Sequence, residues 1–248
     1  MEAWFISDIH LKTAKERNGE ILLRFLRSLL QRNPSQIHLF MLGDIFDLWV
    51  GGHEYFAKKF EPLTQALADL KKAGARITYI EGNHDVHVEG YFQKKLGVEV
   101  FVEAQYYDID GLKVRCEHGD LINLSDEKYL KYRSIIRNPW IKPLGNLIPG
   151  QFWEYIGNRA SKKSRARSGE YRSRNEEQLA LMIRGHAIKA YSEKPFDVII
   201  SGHMHVFDDH MVDINGKPVR SVNLGSWFED QVKVFAIING EPQWKIIN

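Results

Sequence analysis

Hydrophobic positions along the chain fall into two alternating periods. Short apolar runs at residues 3–6, 37–42 and 76–80 read as strands, each ending in a polar loop: Ser7-Asp8, Gly43-Asp44 and Gly82-Asn83. Between them, residues 19–31 carry Ile21, Leu22, Phe25, Leu26, Leu29 and Leu30 at helical spacing. Residues 55–73 predict a second helix, with Gly74 as its stop. Hairpins come next. Runs at 106–109 and 112–116 flank Asp110-Gly111, runs at 211–214 and 218–222 flank Asn215-Gly216, and runs at 232–238 and 243–247 flank Asn239-Gly240. Such dipeptides supply the positive φ angles of two-residue hairpin turns. A further strand is expected at 198–200, and from 125 to 193 strand signal gives way to helix.

Strand–helix units, a helical stretch and then antiparallel strands imply an α/β fold. The expectation is a two-sheet αββα sandwich formed by residues 1–123 and 196–248, with a helical cap inserted at 124–195. No internal repeat or low-complexity linker interrupts it.

Composition narrows the class only a little. The 248 residues are 44% hydrophobic and 27% charged, ordinary values for a soluble globular protein with a sizeable core. A formal net charge of +2 does not describe a general polyanion binder. The single cysteine, Cys116, rules out an intramolecular disulfide, suits a reducing cytosol and reads as a buried structural thiol. MEAWFISDIH lacks the basic and apolar regions of a signal peptide, and no apolar run approaches the roughly 18 residues of a membrane span.

Chemistry concentrates in five short motifs, each after a strand-like run: Asp8-Ile9-His10, Gly43-Asp44, Gly82-Asn83-His84-Asp85, Glu117-His118-Gly119-Asp120 and Gly202-His203-Met204-His205. Loops at the carboxyl ends of strands are where α/β proteins assemble sites. Asp8 and His10 can turn toward one ion, Asp44 has two oxygens with which to bridge two, and Asn83 offers a neutral amide oxygen. With imidazoles from His118, His203 and His205, this mixed nitrogen–oxygen set suits Mn²⁺, Fe²⁺ or Zn²⁺ better than Ca²⁺. A pair of such ions, about 3.5–4 Å apart, acidifies water for attack on phosphorus. Asp120 is expected to orient His118, and Asp208, Asp209 and His210 to form a polar loop before a strand.

Taken in order, the motifs resemble those of the calcineurin-like metallophosphoesterases. The resemblance implies that Asp8, His10, Asp44 and His205 hold a first ion, and Asp44, Asn83, His118 and His203 a second. It also implies a role for His84 as an acid beside the site, paired with the carboxylate of Asp47. A closer similarity, to the UDP-2,3-diacylglucosamine pyrophosphohydrolases of lipid A synthesis, runs through most of the chain. It is carried by the stretch from Gly43 to Gly51, Ser125-Asp126, Tyr129, Pro139-Trp140, Arg159, Ser161-Lys162 and Leu224-Gly225-Ser226-Trp227. It implies cleavage of a UDP-linked diacylated sugar to UMP and the lipid sugar 1-phosphate. It further implies two Mn²⁺ ions and a cytoplasmic enzyme peripheral to the inner membrane. Asn83, His84, Asp126, Ser161, Arg165, Arg167 and His203 become expected substrate contacts. The chain departs from that family at His84, where those enzymes carry Arg, and at Asp47, where they carry Glu.

Within 124–195, Trp140, Ile141, Leu144, Leu147, Ile148, Phe152, Trp153 and Ile156 are followed by Arg159, Lys162, Lys163, Arg165, Arg167, Arg172 and Arg174. An apolar wall beside a cationic rim suits an amphiphile with a diphosphate and an anionic bilayer, rather than nucleic acid. The other readings are a general metal-dependent phosphodiesterase or phosphatase and a non-catalytic binding module of the same fold. An anhydride's leaving phosphate needs little proton help, so the His84–Asp47 pair also suits ester substrates.

Overall fold

A computed structural model of the chain describes residues 1–138, 140, 143 and 147–248, without the side chains of 158–174. In chain order its first elements are β1 (Glu2–Ile6), α1 (Arg17–Leu30), β2 (Ile37–Met41), β3 (Trp49–Val50), α2 (Glu54–Lys59), α3 (Glu61–Lys72), β4 (Arg76–Ile80), β5 (Asp85–Val86) and β6 (Glu99–Phe101). There follow β7 (Gln105–Ile109), β8 (Leu112–Cys116), α4 (Glu127–Ile136), α5 (Gly150–Glu193), β9 (Val198–Ser201), β10 (Phe207–Ile214), β11 (Lys217–Leu224), β12 (Val232–Ile238) and β13 (Glu241–Ile247).

One sheet runs β13-β12-β1-β2-β4-β6 and a second runs β10-β11-β9-β8-β7. Strands β1, β2 and β4 are mutually parallel, as are β8 and β9. Successive side chains of a strand face opposite sides, and β1 uses both. Ala3 and Phe5 face the second sheet, packing with Phe40, Ile80, Val114, Cys116, Ile200 and Val222. Trp4 and Ile6 face the helices, packing with Leu22, Phe25 and Leu26 of α1 and Leu63, Leu67 and Leu70 of α3. Burial on both faces is why these strands read as unbroken apolar runs. On the outer face of the second sheet, Ala187 and Ala190 of α5 pack with Ile199, Val212 and Val219. The layers are therefore helix, sheet, sheet, helix, the expected sandwich, with its outer helix drawn from α5, inside the 124–195 stretch that the sequence reading gave to the cap.

The three turn dipeptides sit at positive φ as expected: Asp110 50° and Gly111 89°, Asn215 57° and Gly216 78°, Asn239 53° and Gly240 77°. Several local expectations fail for identifiable reasons. The helix expected at 55–73 divides at Phe60 (φ −111°, ψ 26°), because Pro62 in the first turn of α3 cannot continue a preceding helix. Asp208, Asp209 and His210 belong to β10 rather than to a loop; Asp208 pairs with Arg184 of α5 and Asp209 with Arg220 of β11. Between β8 and β9 lie α4 and α5, and α5 breaks at Asn175 (φ −133°, ψ 21°). The two-residue strands β3 and β5 escaped the pattern entirely. Their parallel pairing sets Trp49 beside Asp85 and Val50 beside Val86, which draws the 44–51 loop alongside the loop that carries His84.

Candidate metal centre

Asp8, Asp44, Asn83, His118 and His203 follow the carboxyl ends of β1, β2, β4, β8 and β9, so five loops converge at one end of the sandwich. Five of the residues there, Asp8, His10, Asp44, His203 and His205, have φ between 51° and 66°. Left-handed backbone at residues other than glycine costs about 1–3 kcal/mol each and clusters at functional sites. Two glycines give the loops room. A Cβ at Gly82 would collide with the Asp44 carboxylate, and one at Gly202 with Asp8 Oδ2 and Ser7 Oγ.

Each carboxylate divides its oxygens. Asp8 Oδ2 accepts hydrogen bonds from Ser7 Oγ (2.6 Å) and the His203 amide (2.9 Å). Asp8 Oδ1 is buried and accepts none, though His205 Nε2 lies 3.2 Å away. Asp44 Oδ1 accepts from the His84 amide (2.9 Å), leaving Oδ2 3.7 Å from His10 Nε2 and 3.7 Å from His118 Nε2. His10 Nε2 and His205 Nε2 are 3.0 Å apart; His118 Nε2 lies 3.2 Å from His203 Nδ1 and 3.4 Å from Asn83 Oδ1. Two donor clusters thus share Asp44: one of Asp8, His10 and His205, the other of Asn83, His118 and His203. A buried, unpartnered carboxylate oxygen among imidazole nitrogens is what a divalent cation would satisfy, so the residues fit the metals implied by their order in the sequence.

Charge supports the fit. Burial holds the imidazole of His10 down to about 3 and that of His203 to about 4, so both present lone pairs at neutral pH. Burial would raise Asp44, but His118, His84, His10 and His203 hold it well below the carboxylate range. His118 is raised against burial by Asp44 and Asp8, and a divalent ion would displace its proton. His118 Nδ1 donates to the Leu42 carbonyl (2.8 Å), which leaves Nε2 for the site. Asp120, expected to orient His118, instead accepts from Tyr129 Oη (2.9 Å) and Arg133 Nε (2.7 Å) of α4.

The remaining residues singled out by sequence are placed as follows. His84 stands edge-on to His10, with ring centroids 4.7 Å apart. Its Nδ1 donates to the main-chain carbonyl of Asp47 (2.9 Å), and the carboxylate of Asp47 lies within 4.8 Å of the His84 and His10 rings' nitrogens. Asp126 is the N-cap of α4, where Oδ1 accepts from the Tyr129 amide (2.9 Å). Cys116 is buried, as its strand position implies. Ser161, Arg165 and Arg167 lie outside the described side chains, as do Arg159, Lys162, Lys163, Arg172 and Arg174; Pro139, Ile141 and Leu144 lie outside the described residues.

Sequence reasoning gave no role to Asp85, which organises the centre. Its Oδ1 accepts from the amides of Asp44 (3.0 Å) and Gly82 (2.8 Å), and its Oδ2 from the Ile45 amide (2.8 Å) and Tyr79 Oη (2.6 Å). A fixed acid in the Gly82–Asp85 motif was the available signal. His186, also left without a role, places Nε2 2.6 Å from Glu117 Oε1 and so ties α5 to the residue before His118.

A family model described as calcineurin-like phosphoesterase matches residues 1–207. The chain belongs to the calcineurin-like phosphoesterase family. That family is hydrolytic, and the protein is a hydrolase of it. UDP-2,3-diacylglucosamine hydrolase of Proteus mirabilis (strain HI4320) is 31% identical over 223 residues, covering 90% of this chain and 90% of that protein. A protein of the same name from Pseudomonas aeruginosa (strain UCBPP-PA14) is 28% identical over 233 residues, covering 92% and 91%. Among solved structures, a novel archaeal phosphodiesterase superposes with a TM-score of 0.47 at 14% identity, covering 99% of each chain.

Proposed function

We propose that this phosphoesterase cleaves the pyrophosphate of UDP-2,3-diacylglucosamine, giving UMP and 2,3-diacylglucosamine 1-phosphate in lipid A synthesis. Two Mn²⁺ ions would be held by the seven residues Asp8, His10, Asp44, Asn83, His118, His203 and His205. When bound, they supply Lewis acidity and an acidified water for attack on phosphorus. His84, raised by Asp44 and Asp47 against the effect of burial, adds positive charge for a phosphate oxygen. Substrate contacts are assigned to Asn83, His84, Asp126, Ser161, Arg165, Arg167 and His203, and the part of 124–195 that does not pack on the second sheet to a cap over the centre.

The names of the relatives suggest the substrate, and one observation on this chain carries the lipid part. Leu124, Tyr132, Ile135, Trp140, Leu147, Phe152, Tyr155 and Ile156 are all exposed. Exposed apolar residues scattered singly need no explanation, but a concentration beside a polar site marks a binding surface. Acyl chains would cover it, and the same surface fits a bilayer. Among the described residues no helix is long and apolar enough to cross a membrane. We therefore assign a peripheral position on the cytoplasmic face of the inner membrane.

The test is release of UMP from UDP-2,3-diacylglucosamine by purified protein with Mn²⁺. Asp44→Asn, which weakens the carboxylate shared by both donor clusters, is expected to abolish it. Hydrolysis of bis(p-nitrophenyl) phosphate without any UMP release would reject the substrate, and full activity in Asp44→Asn would reject the metal chemistry.

A further inference from the structure

Helix α4 joins the exposed apolar surface to the metal loops, yet none of its residues is buried, and Ile136 is its one partly buried apolar side chain packed against the main core among the described residues. Polar ties hold it instead. From its first turn Tyr129, and from its last turn Arg133, reach Asp120, two residues beyond His118. At its C-terminal cap Arg137 reaches the loop that carries Asn83. Arg137 Nη1 donates to Glu81 Oε2 (2.9 Å), and Nη2 donates to the carbonyls of Glu81 (3.0 Å) and Gly82 (2.9 Å). The pair is deeply buried, with side-chain exposures of 9% for Arg137 and 1% for Glu81.

Those two carbonyls belong to the successive peptide planes that lead into Asn83. Gly82 has no Cβ to restrain its torsions; Asp85 holds the Gly82 amide from one side, and Arg137 Nη2 holds both carbonyls, including that of the plane directly before Asn83. Turning either plane would swing Asn83 Oδ1 away from His118 Nε2, 3.4 Å from it. We propose that Arg137 is a positioning residue for the second cation site: by clamping the 81–83 backbone to α4, it sets the affinity of the Asn83–His118–His203 cluster for metal. The proposal rests on the two-ion reading above. By linkage, whatever settles α4 also tightens that site, and metal there settles α4.

Removing an outer partner of a metal ligand typically costs about 10–100-fold in affinity. The experiment is a Mn²⁺ titration of wild type, Arg137→Gln, Arg137→Lys and Asn83→Ala, with free Mn²⁺ read by EPR and the fold of each variant checked by thermal melting. Wild type is expected to bind two ions. Arg137→Gln should keep one class of site within about threefold, matching the class left in Asn83→Ala, and weaken the other by about 10–100-fold. Arg137→Lys keeps the charge opposite Glu81 but lacks the planar fork, so it should weaken the same class by less, and it serves if the Gln variant does not fold. Two unchanged classes in a folded variant, or equal weakening of both, would overturn the role of Arg137. A wild type that binds a single ion would instead overturn the two-ion reading itself.

Discussion

Replacing Asp85 by asparagine tests whether one buried carboxylate holds the metal loops in register. Four amides and a phenol converge on its two oxygens, from Asp44, Gly82, Ile45, Phe46 and Tyr79. Burial and the neighbouring Asp44 carboxylate raise it to about 6, so at neutral pH it is an acceptor only. An asparagine must put its NH₂ at one oxygen position. At the Oδ1 position it would face two backbone donors, those of Asp44 and Gly82. At Oδ2 the Tyr79 hydroxyl can rotate and accept, so one short amide bond is lost there, from Ile45, with the long contact from Phe46 (3.5 Å). The second arrangement wins, at a cost of about 2–4 kcal/mol for one lost charge-assisted bond and one unsatisfied donor. For a chain of this size each kcal/mol lowers Tm by about 2–4 °C. Asp85→Asn should therefore melt roughly 4–16 °C below wild type with metal chelated, and Asp85→Ala lower still, because every donor then loses its acceptor. Differential scanning calorimetry in EDTA measures both. A melt of Asp85→Asn within about 2 °C of wild type, or an alanine variant more stable than it, would refute the reasoning.

Two further outcomes are expected. His38 is buried in β2 with Nε2 2.9 Å from Thr78 Oγ1, and burial, with Arg76 and Lys71 nearby, lowers it to about 3. Its folded pKa lies below the unfolded value, so its contribution is complete above about 6.5 and declines as pH falls toward 3, by at most about 1.4 kcal/mol per pH unit. Denaturant titrations in EDTA should thus show the stability of wild type relative to His38→Gln declining between pH 6 and pH 4, and a constant difference would remove His38 from the account. Trp140 is 86% exposed. If that surface meets a bilayer, Trp140→Ser should lower the partition constant onto phosphatidylglycerol vesicles, read by sedimentation, roughly 10- to 150-fold, the equivalent of about 1.5–3 kcal/mol for one large apolar side chain; unchanged sedimentation would exclude this residue from the contact.

What the chain's pattern revealed depended on how local its causes are. The strands β1, β2 and β4 could be read because each is buried on both faces and stays apolar throughout. The hairpin turns could be read because Asp-Gly and Asn-Gly are selected by the backbone of two residues alone. The β3–β5 ribbon could not, since two residues per strand carry no period and their pairing is fixed from outside, by the Trp49 amide on the His84 carbonyl and the Gly51 amide on that of Val86. The residues that converge at the centre could be read because Asp and His at strand ends are conspicuous residue types. Arg137 was not, because besides Glu81 its partners are main-chain carbonyls far back along the chain, and any sequence can supply a carbonyl.

The backbone at the centre shows why the finer geometry lies beyond any local reading. Asp8, His10, Asp44, His203 and His205 occupy left-handed φ without being glycine, against their intrinsic preference. What stabilises the first three is the neighbouring loop: the Asp8 amide donates to the Gly43 carbonyl, those of Ile9 and His10 to the Asp44 carbonyl, and that of Leu11 to Ile45. The loop after β1 and the loop after β2 are therefore one structure made of two segments more than thirty residues apart. Neither strained segment is stable without the other, and together they turn Asp8 and Asp44 so that one oxygen of each is held by protein donors while the other faces the imidazoles. In a site assembled in this way the loops are ordered by the protein's own main-chain bonds. The binding free energy of a cation then need not order them, and all of it can go into affinity.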